Sequence, residues 1–157
     1  MATQVESKAS LLYDDDFYAW SREQAALLRD RRFAELDLEH LIEEVDNLGG
    51  ALKRSVRSRI GTIIEHLLKL QHSPAQDPKA GWYDTIITQR RDLVEELTRT
   101  IRREVEPDFR RLYDRARADA AKSLRVHGEA NAADALPADC VYSFEQVIGD
   151  WWPEENE

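Results

Sequence analysis

The side chains in this sequence equipped for chemistry are four histidines, a lone cysteine and several helical carboxylates. His66 stands out among them. At 100° per residue it falls about 80° from the centre of the surrounding apolar face, so half burial beside the core is expected. Such a histidine is either hydrogen-bonded as part of the packing or a ligand or general base in a groove. In the second case Trp82, Gln89 and Arg90, on a helix one loop further on, would line the same polar groove, and the chemistry would be ligand binding or hydrolysis. Glu44 lies on the same flank as His66, but on a straight helix it is about 22 residues and roughly 33 Å away. The two meet only if the helix turns back between them.

Glu39, Glu43 and Glu44 with His40 invite a metal. A di-iron bundle requires Glu-x-x-His on facing helices, and no glutamate precedes any histidine here by three. No His-Glu-x-x-His pair for zinc is present either. No metal and no cofactor are therefore expected. Cys140, in a loop with no histidine beside it in sequence, is read as incidental. Lys53, Arg54, Arg57 and Arg59 crowd together, but on a helix they spread over several faces, and a solvated face paired with acidic flanks is the default. Without interleaved aromatics or a reading helix, nucleic acid is not the expected partner; that reading would require steep loss of binding with salt.

What positions these residues is helical. Apolar residues recur at Leu38, Leu41, Val45, Leu48, Leu52, Val56, Ile60, Ile63, Leu67 and Leu70, at gaps of three or four, the signature of one helix face. Gly49-Gly50 interrupts the composition but not the phase, since Leu48, Leu52, Val56 and Ile60 follow at intervals of four. One continuous helix of roughly 50 Å is expected, from an Asp37 N-cap to Ser73-Pro74, with a hairpin at the glycines as the alternative. Ahead of it, Asp14-Asp15-Asp16 caps a helix with Phe17, Trp20, Gln24, Leu27 and Leu28 near one face, ending among Arg29-Asp30-Arg31-Arg32. Behind it a third helix carries Trp82, Ile86, Leu93, Leu97 and Ile101 and packs antiparallel on the long one.

Pro107 restarts the chain into a helix through Phe109, Leu112, Tyr113, Ala116, Ala120 and Leu124, closed by Gly128. Residues 129–139 read as a surface loop. Ser143-Phe144-Glu145-Gln146 is a capping box opening a short last helix, and Trp151-Trp152 is an end pinned to the bundle or to a partner. The expected fold is an all-α helical bundle of four main helices plus a short C-terminal helix, with one long central helix. It forms a single domain over residues 13–154, between a loose tail over 1–12 and another over 155–157.

Composition agrees with that class. The chain has 157 residues, six glycines and five prolines, and its helix formers dominate. No run approaches the length of a membrane span and no leader is evident, so a cytoplasmic location without membrane attachment is expected. A single cysteine excludes an internal disulfide. The net charge of −9 hides a pattern. Residues 1–50 carry 5 basic and 12 acidic side chains, residues 51–125 carry 17 and 11, and residues 126–157 carry none and 8. Either the acidic ends fold over the basic middle, or the basic middle faces an anionic partner; the first is preferred.

Together, Asp16-Phe17-Tyr18-Ala19-Trp20, Gln24, Leu27-Leu28-Arg29, Leu36-Asp37-Leu38, Leu41-Ile42-Glu43-Glu44, Leu48-Gly49, His66-Leu67-Leu68-Lys69, Trp82, Gln89-Arg90, Tyr142, Glu145-Gln146 and Trp152-Pro153 form an ordered set. This set resembles the bacterial domain-of-unknown-function family numbered twenty-nine, from Tyr13 to Glu154. The resemblance implies an all-helical bacterial protein and brings no catalytic residues with it. Gly50 departs from the pattern, which has a polar or charged residue there, and keeps the hairpin open.

The functional expectation is a non-enzymatic helical interaction module. It self-associates or binds a protein partner, through an exposed part of the long stripe or through the Trp151-Trp152 end. The alternative is the ligand-binding or hydrolytic groove of His66, Trp82, Gln89 and Arg90, with Glu44 joining it only across a turned-back helix. Any small-molecule ligand is unspecified.

Overall fold

The computed structural model describes residues 8–154, and among them the regular structure is entirely helical. The tails expected over residues 1–7 and 155–157 lie outside the described residues. The chain divides into two compact units, Met1–Ala51 and Leu52–Glu157.

In the first unit, α1 (Lys8–Asp15) and α2 (Phe17–Arg29) precede a short 3-10 turn (Phe33–Glu35). α1 shortens the loose tail that was expected to reach residue 12. Tyr13 anchors it: its ring packs edge-on to Phe17 and Trp20 and stacks on the His40 ring at 4.0 Å, and its hydroxyl donates to Glu44 at 2.6 Å. Asp16 caps α2 by accepting from the Ala19 N–H at 2.9 Å. α2 ends in a Schellman motif, with the Arg32 N–H on the Leu27 carbonyl and the Arg31 N–H on Leu28. The left-handed position is filled by Arg31, at φ 58°, where glycine is usual.

α3 (Leu38–His72) runs through Gly49 and Gly50 without interruption and belongs in part to each unit. The hairpin alternative is excluded, because the apolar phase that crosses the glycines is the phase of one helix.

In the second unit, Val56, Ile60, Ile63, Ile64, Leu67 and Leu68 of α3 have no exposed surface. They pack with Ile86 and Leu93 of α4 (Lys79–Glu96) and with Leu112, Tyr113, Ala116, Ala120 and Leu124 of α6 (Phe109–Val126) in one core. Between these helices lie α5 (Arg99–Val105) and a 3-10 turn (Glu106–Asp108) holding Pro107. α4 is antiparallel to α3, since Ser55 and Arg59 meet Glu96 while Arg59 also reaches back to Gln89. α6 runs parallel to it: Arg57 pairs with Asp108 at its start, and Ser73 past the end of α3 bonds Glu129 past the end of α6.

Two expected boundaries change here. The third helix does not reach Ile101. Leu97 leaves helical geometry at ψ 79°, and the Thr98 hydroxyl caps the new helix by accepting from the Ile101 N–H. The stretch read as a loop contains a one-turn helix, α7 (Ala130–Asp134), whose Ala133 is buried. The capping box forms as expected and opens α8 (Phe144–Ile148), and Gly128, at φ 81°, ends α6 in a second Schellman motif.

Candidate functional site

The polar residues singled out from the sequence each have their own surroundings. Arg90 on α4 is buried, and its guanidinium donates to three backbone carbonyls of the C-terminal segment: Val147 at 3.0 Å, Gln146 at 2.9 Å and Trp151 at 2.8 Å. It also lies 4.8 Å from the Trp152 ring centre, which packs on Tyr83. Burial pushes its pKa down. Arg90 is thus a clamp on the chain end, and both terminal tryptophans pack against the bundle core.

Gln89 faces the other way, accepting from Arg59, which also pairs with Asp92 and, through two nitrogens, with Glu96. His66 Nδ1 lies 2.9 Å from the Thr62 carbonyl one turn back, and burial lowers its pKa. This is the packed-histidine alternative. Trp82 lines a small cleft of about 150 Å³ with Lys69, Pro78, Ser123, His127 and Glu129. The four do not converge. Glu44 belongs to the first unit, where it holds Tyr13 and raises the pKa of that phenol to about 12. Cys140 is half-buried, burial pushes its thiol pKa up, and its Sγ contacts the Tyr142 carbonyl. Among the described residues no group of three or more His, Cys, Asp and Glu is arranged to hold a metal ion.

One buried polar cluster was not foreseen. Asp37 precedes α3 and accepts from Trp20 Nε1 at 3.2 Å, with His40 Nδ1 at 2.8 Å from the same oxygen. Its backbone N–H donates to Gln24 Oε1, while Gln24 Nε2 has no partner among the described residues. Burial works against the Asp37 carboxylate, but the bonds from His40 and Trp20 outweigh it and lower its pKa; the same contact raises that of His40. Asp37 fills the expected capping position, and its wider role was invisible because Trp20 and Gln24 reach it across a turn.

The other feature is apolar. Leu38, Val45 and Leu48 of the long stripe, with Ile42 beside them, are 56 to 72% exposed, whereas Leu41 is partly buried. Gly49 lies on the same face, and a Cβ built there would meet nothing within 4 Å.

The profile of the family described as "Domain of unknown function DUF29" matches residues 12–152. The chain belongs to this family. No curated protein and no solved structure matches this DUF29 chain. Among the described residues of the DUF29 domain no helix is long and apolar enough to cross a membrane. The uncovered stripe is the DUF29 surface that its own fold leaves least explained. Periodicity marked its position, and only packing could tell that its first half lacks cover.

Proposed function

We propose that this DUF29 protein is a docking module, and that the first half of α3 receives an amphipathic helix of another protein whose polar face is basic. The observation that carries this is the uncovered row Leu38, Ile42, Val45 and Leu48, an apolar face that a solvated helix has no reason to keep. Gly49 adds to it. A glycine inside a helix costs about 1 kcal/mol relative to alanine, and here neither a left-handed backbone nor a neighbour in the chain asks for it. Close approach by an external helix gives it a purpose. Charge selects the partner: residues 1–50 carry 12 acidic and 5 basic side chains, and Glu39 and Asp46 border the stripe, so a second copy would meet like charge. The hydrolytic reading has no comparable support, since His66, Trp82, Gln89 and Arg90 are engaged separately.

The test is titration of the intact protein with two labelled amphipathic peptides, one built of leucine and lysine and one of leucine and glutamate, alongside sedimentation equilibrium. The lysine peptide binds saturably at one per chain and the glutamate peptide does not. Val45→Asp with Leu48→Asp abolishes binding while the thermal melt is unchanged, both positions being exposed. Binding indifferent to those substitutions, or a dimer that they dissociate, would overturn the reading.

A further inference from the structure

A groove of about 590 Å³ lies between α3 and α6 in the second unit, within the range of small-molecule sites. Its floor is Leu112, Ala116 and Gly61, and its walls carry Arg54 and Arg57 from α3 and Arg111 and Arg115 from α6. Arg54 and Arg57 are three residues apart and Arg111 and Arg115 four, so each pair projects from one helix face. Two parallel helices thus each contribute a pair of arginines to the lining of one groove.

The carboxylates nearby neutralise only part of this charge. Glu65, on the groove wall, is held by Lys69 at 2.5 Å. Asp108 is held by Arg57 at 2.6 Å and reached by Arg111 only at 3.9 Å. Arg54 and Arg115 have no hydrogen bond or ion pair among the described residues, and one acid on the wall, Asp119, is itself without one. Arg57, through its hydrogen bond first, and then the charges of Arg57, Arg111 and Lys53, hold the Asp108 carboxyl below its usual range. This concentration sits in a chain whose net charge is −9. Gly61 keeps the floor open, since a Cβ there would meet nothing within 4 Å.

We infer that this groove binds a small organic phosphate carrying two adjacent phosphoryl groups, its anionic end shared by the two arginine pairs and its apolar part lying over Leu112 and Ala116. Arginine suits this role because its planar fork donates two parallel hydrogen bonds to a phosphate. Two pairs, each spread along one turn, match two phosphoryl groups better than one.

The minimal probe is inorganic pyrophosphate, titrated calorimetrically into the intact protein, with orthophosphate and a single-stranded RNA oligonucleotide as comparison arms. Pyrophosphate binds at one per chain, about ten-fold tighter than orthophosphate, a difference of about 1.4 kcal/mol. Arg54→Ala with Arg115→Ala weakens it by about ten-fold or more, whereas Arg99→Ala with Arg103→Ala, which removes two exposed cations of α5 outside the groove, leaves it unchanged. Gly61→Leu fills the floor without altering charge and abolishes binding. Thermal melts establish that each variant is folded. No saturable pyrophosphate binding, equal loss in the α5 control, or salt-sensitive binding of RNA alone would overturn the inference.

Discussion

The two halves of α3 carry the same apolar repeat and meet opposite fates. Leu38, Val45 and Leu48 of the stripe lie open, whereas Val56, Ile60, Ile63 and Leu67 further along are fully enclosed. The units around them differ in the same sense. The second unit buries one extended core and ends α6 on Gly128, while the first encloses Trp20, Gln24 and Leu27 and ends α2 on a strained Arg31. A regular stripe therefore states which face is apolar and leaves open whether the chain covers it. Where it is covered the stripe is core; where it is bare it is a surface available to another molecule.

The strongest way to break this comparison is to truncate both halves alike. Leu67→Ala removes side-chain atoms from a fully enclosed site and costs about 2–5 kcal/mol in urea denaturation. Leu48→Ala, at 72% exposure, stays within about 0.5 kcal/mol of the parent. Equal costs would mean that the stripe is covered along its whole length.

Arg90→Ala tests whether the closed character of the second unit depends on its polar clamp as well as its core. Three carbonyls lose their donor, so a loss of about 2–4 kcal/mol is expected, with a red shift of tryptophan emission as Trp152 is released. Lysine at this position does not rescue, because it lacks the fork that spans the three acceptors.

The two helix endings offer a sharper and smaller contrast. Arg31→Gly relieves a left-handed backbone and stabilises the protein by about 1 kcal/mol; Gly128→Ala introduces the same strain and destabilises it by about as much. Differential scanning calorimetry reads both.

The smallest effect divides the units by pH. His40 gains from Asp37, and its pKa is raised above the ordinary 6.5. Its contribution is complete below 6.5 and fades as pH rises through the raised value. His66 is buried in the second unit, and its pKa is lowered below 6.5. The fold favours its neutral form, so stability is lost as pH falls below 6.5 towards the lowered value. Amide protection factors, corrected for the intrinsic pH dependence of exchange, are expected to rise around His40 and fall around His66 as pH drops from 7.5 to 5.5. Movement in the same direction in both places would show that the histidines do not set the difference.

The sequence made visible whatever is local or periodic. The continuity of α3 through Gly49-Gly50 followed from phase, and the Asp16 cap and the Ser143 capping box from residues three apart. The break at Leu97-Thr98 was hidden because Ile101 keeps the heptad spacing of α4 although it belongs to a new helix. Burial of the stripe depends on partners far along the chain and leaves no local trace. The separate surroundings of the candidate groove residues were hidden for the same reason. Gln89 and Arg90 are adjacent in sequence, but successive positions on a helix point about 100° apart, so one side chain turned to Arg59 and the other to the chain end. The arginine groove was half legible: Arg54 and Arg57 were noted as a crowd, and their counterparts on α6 became neighbours only when the helices packed in parallel.

The Arg90 clamp has an evolutionary consequence. Its three acceptors are main-chain oxygens, so what it recognises is the route of the C-terminal segment and not the letters that compose it. Such a grip tolerates drift at exposed positions of that segment such as Glu145, provided the backbone keeps its course, while the arginine itself has no substitute. In divergent relatives that retain this packing, a solitary arginine facing a changeable terminal sequence is the expected mark of descent.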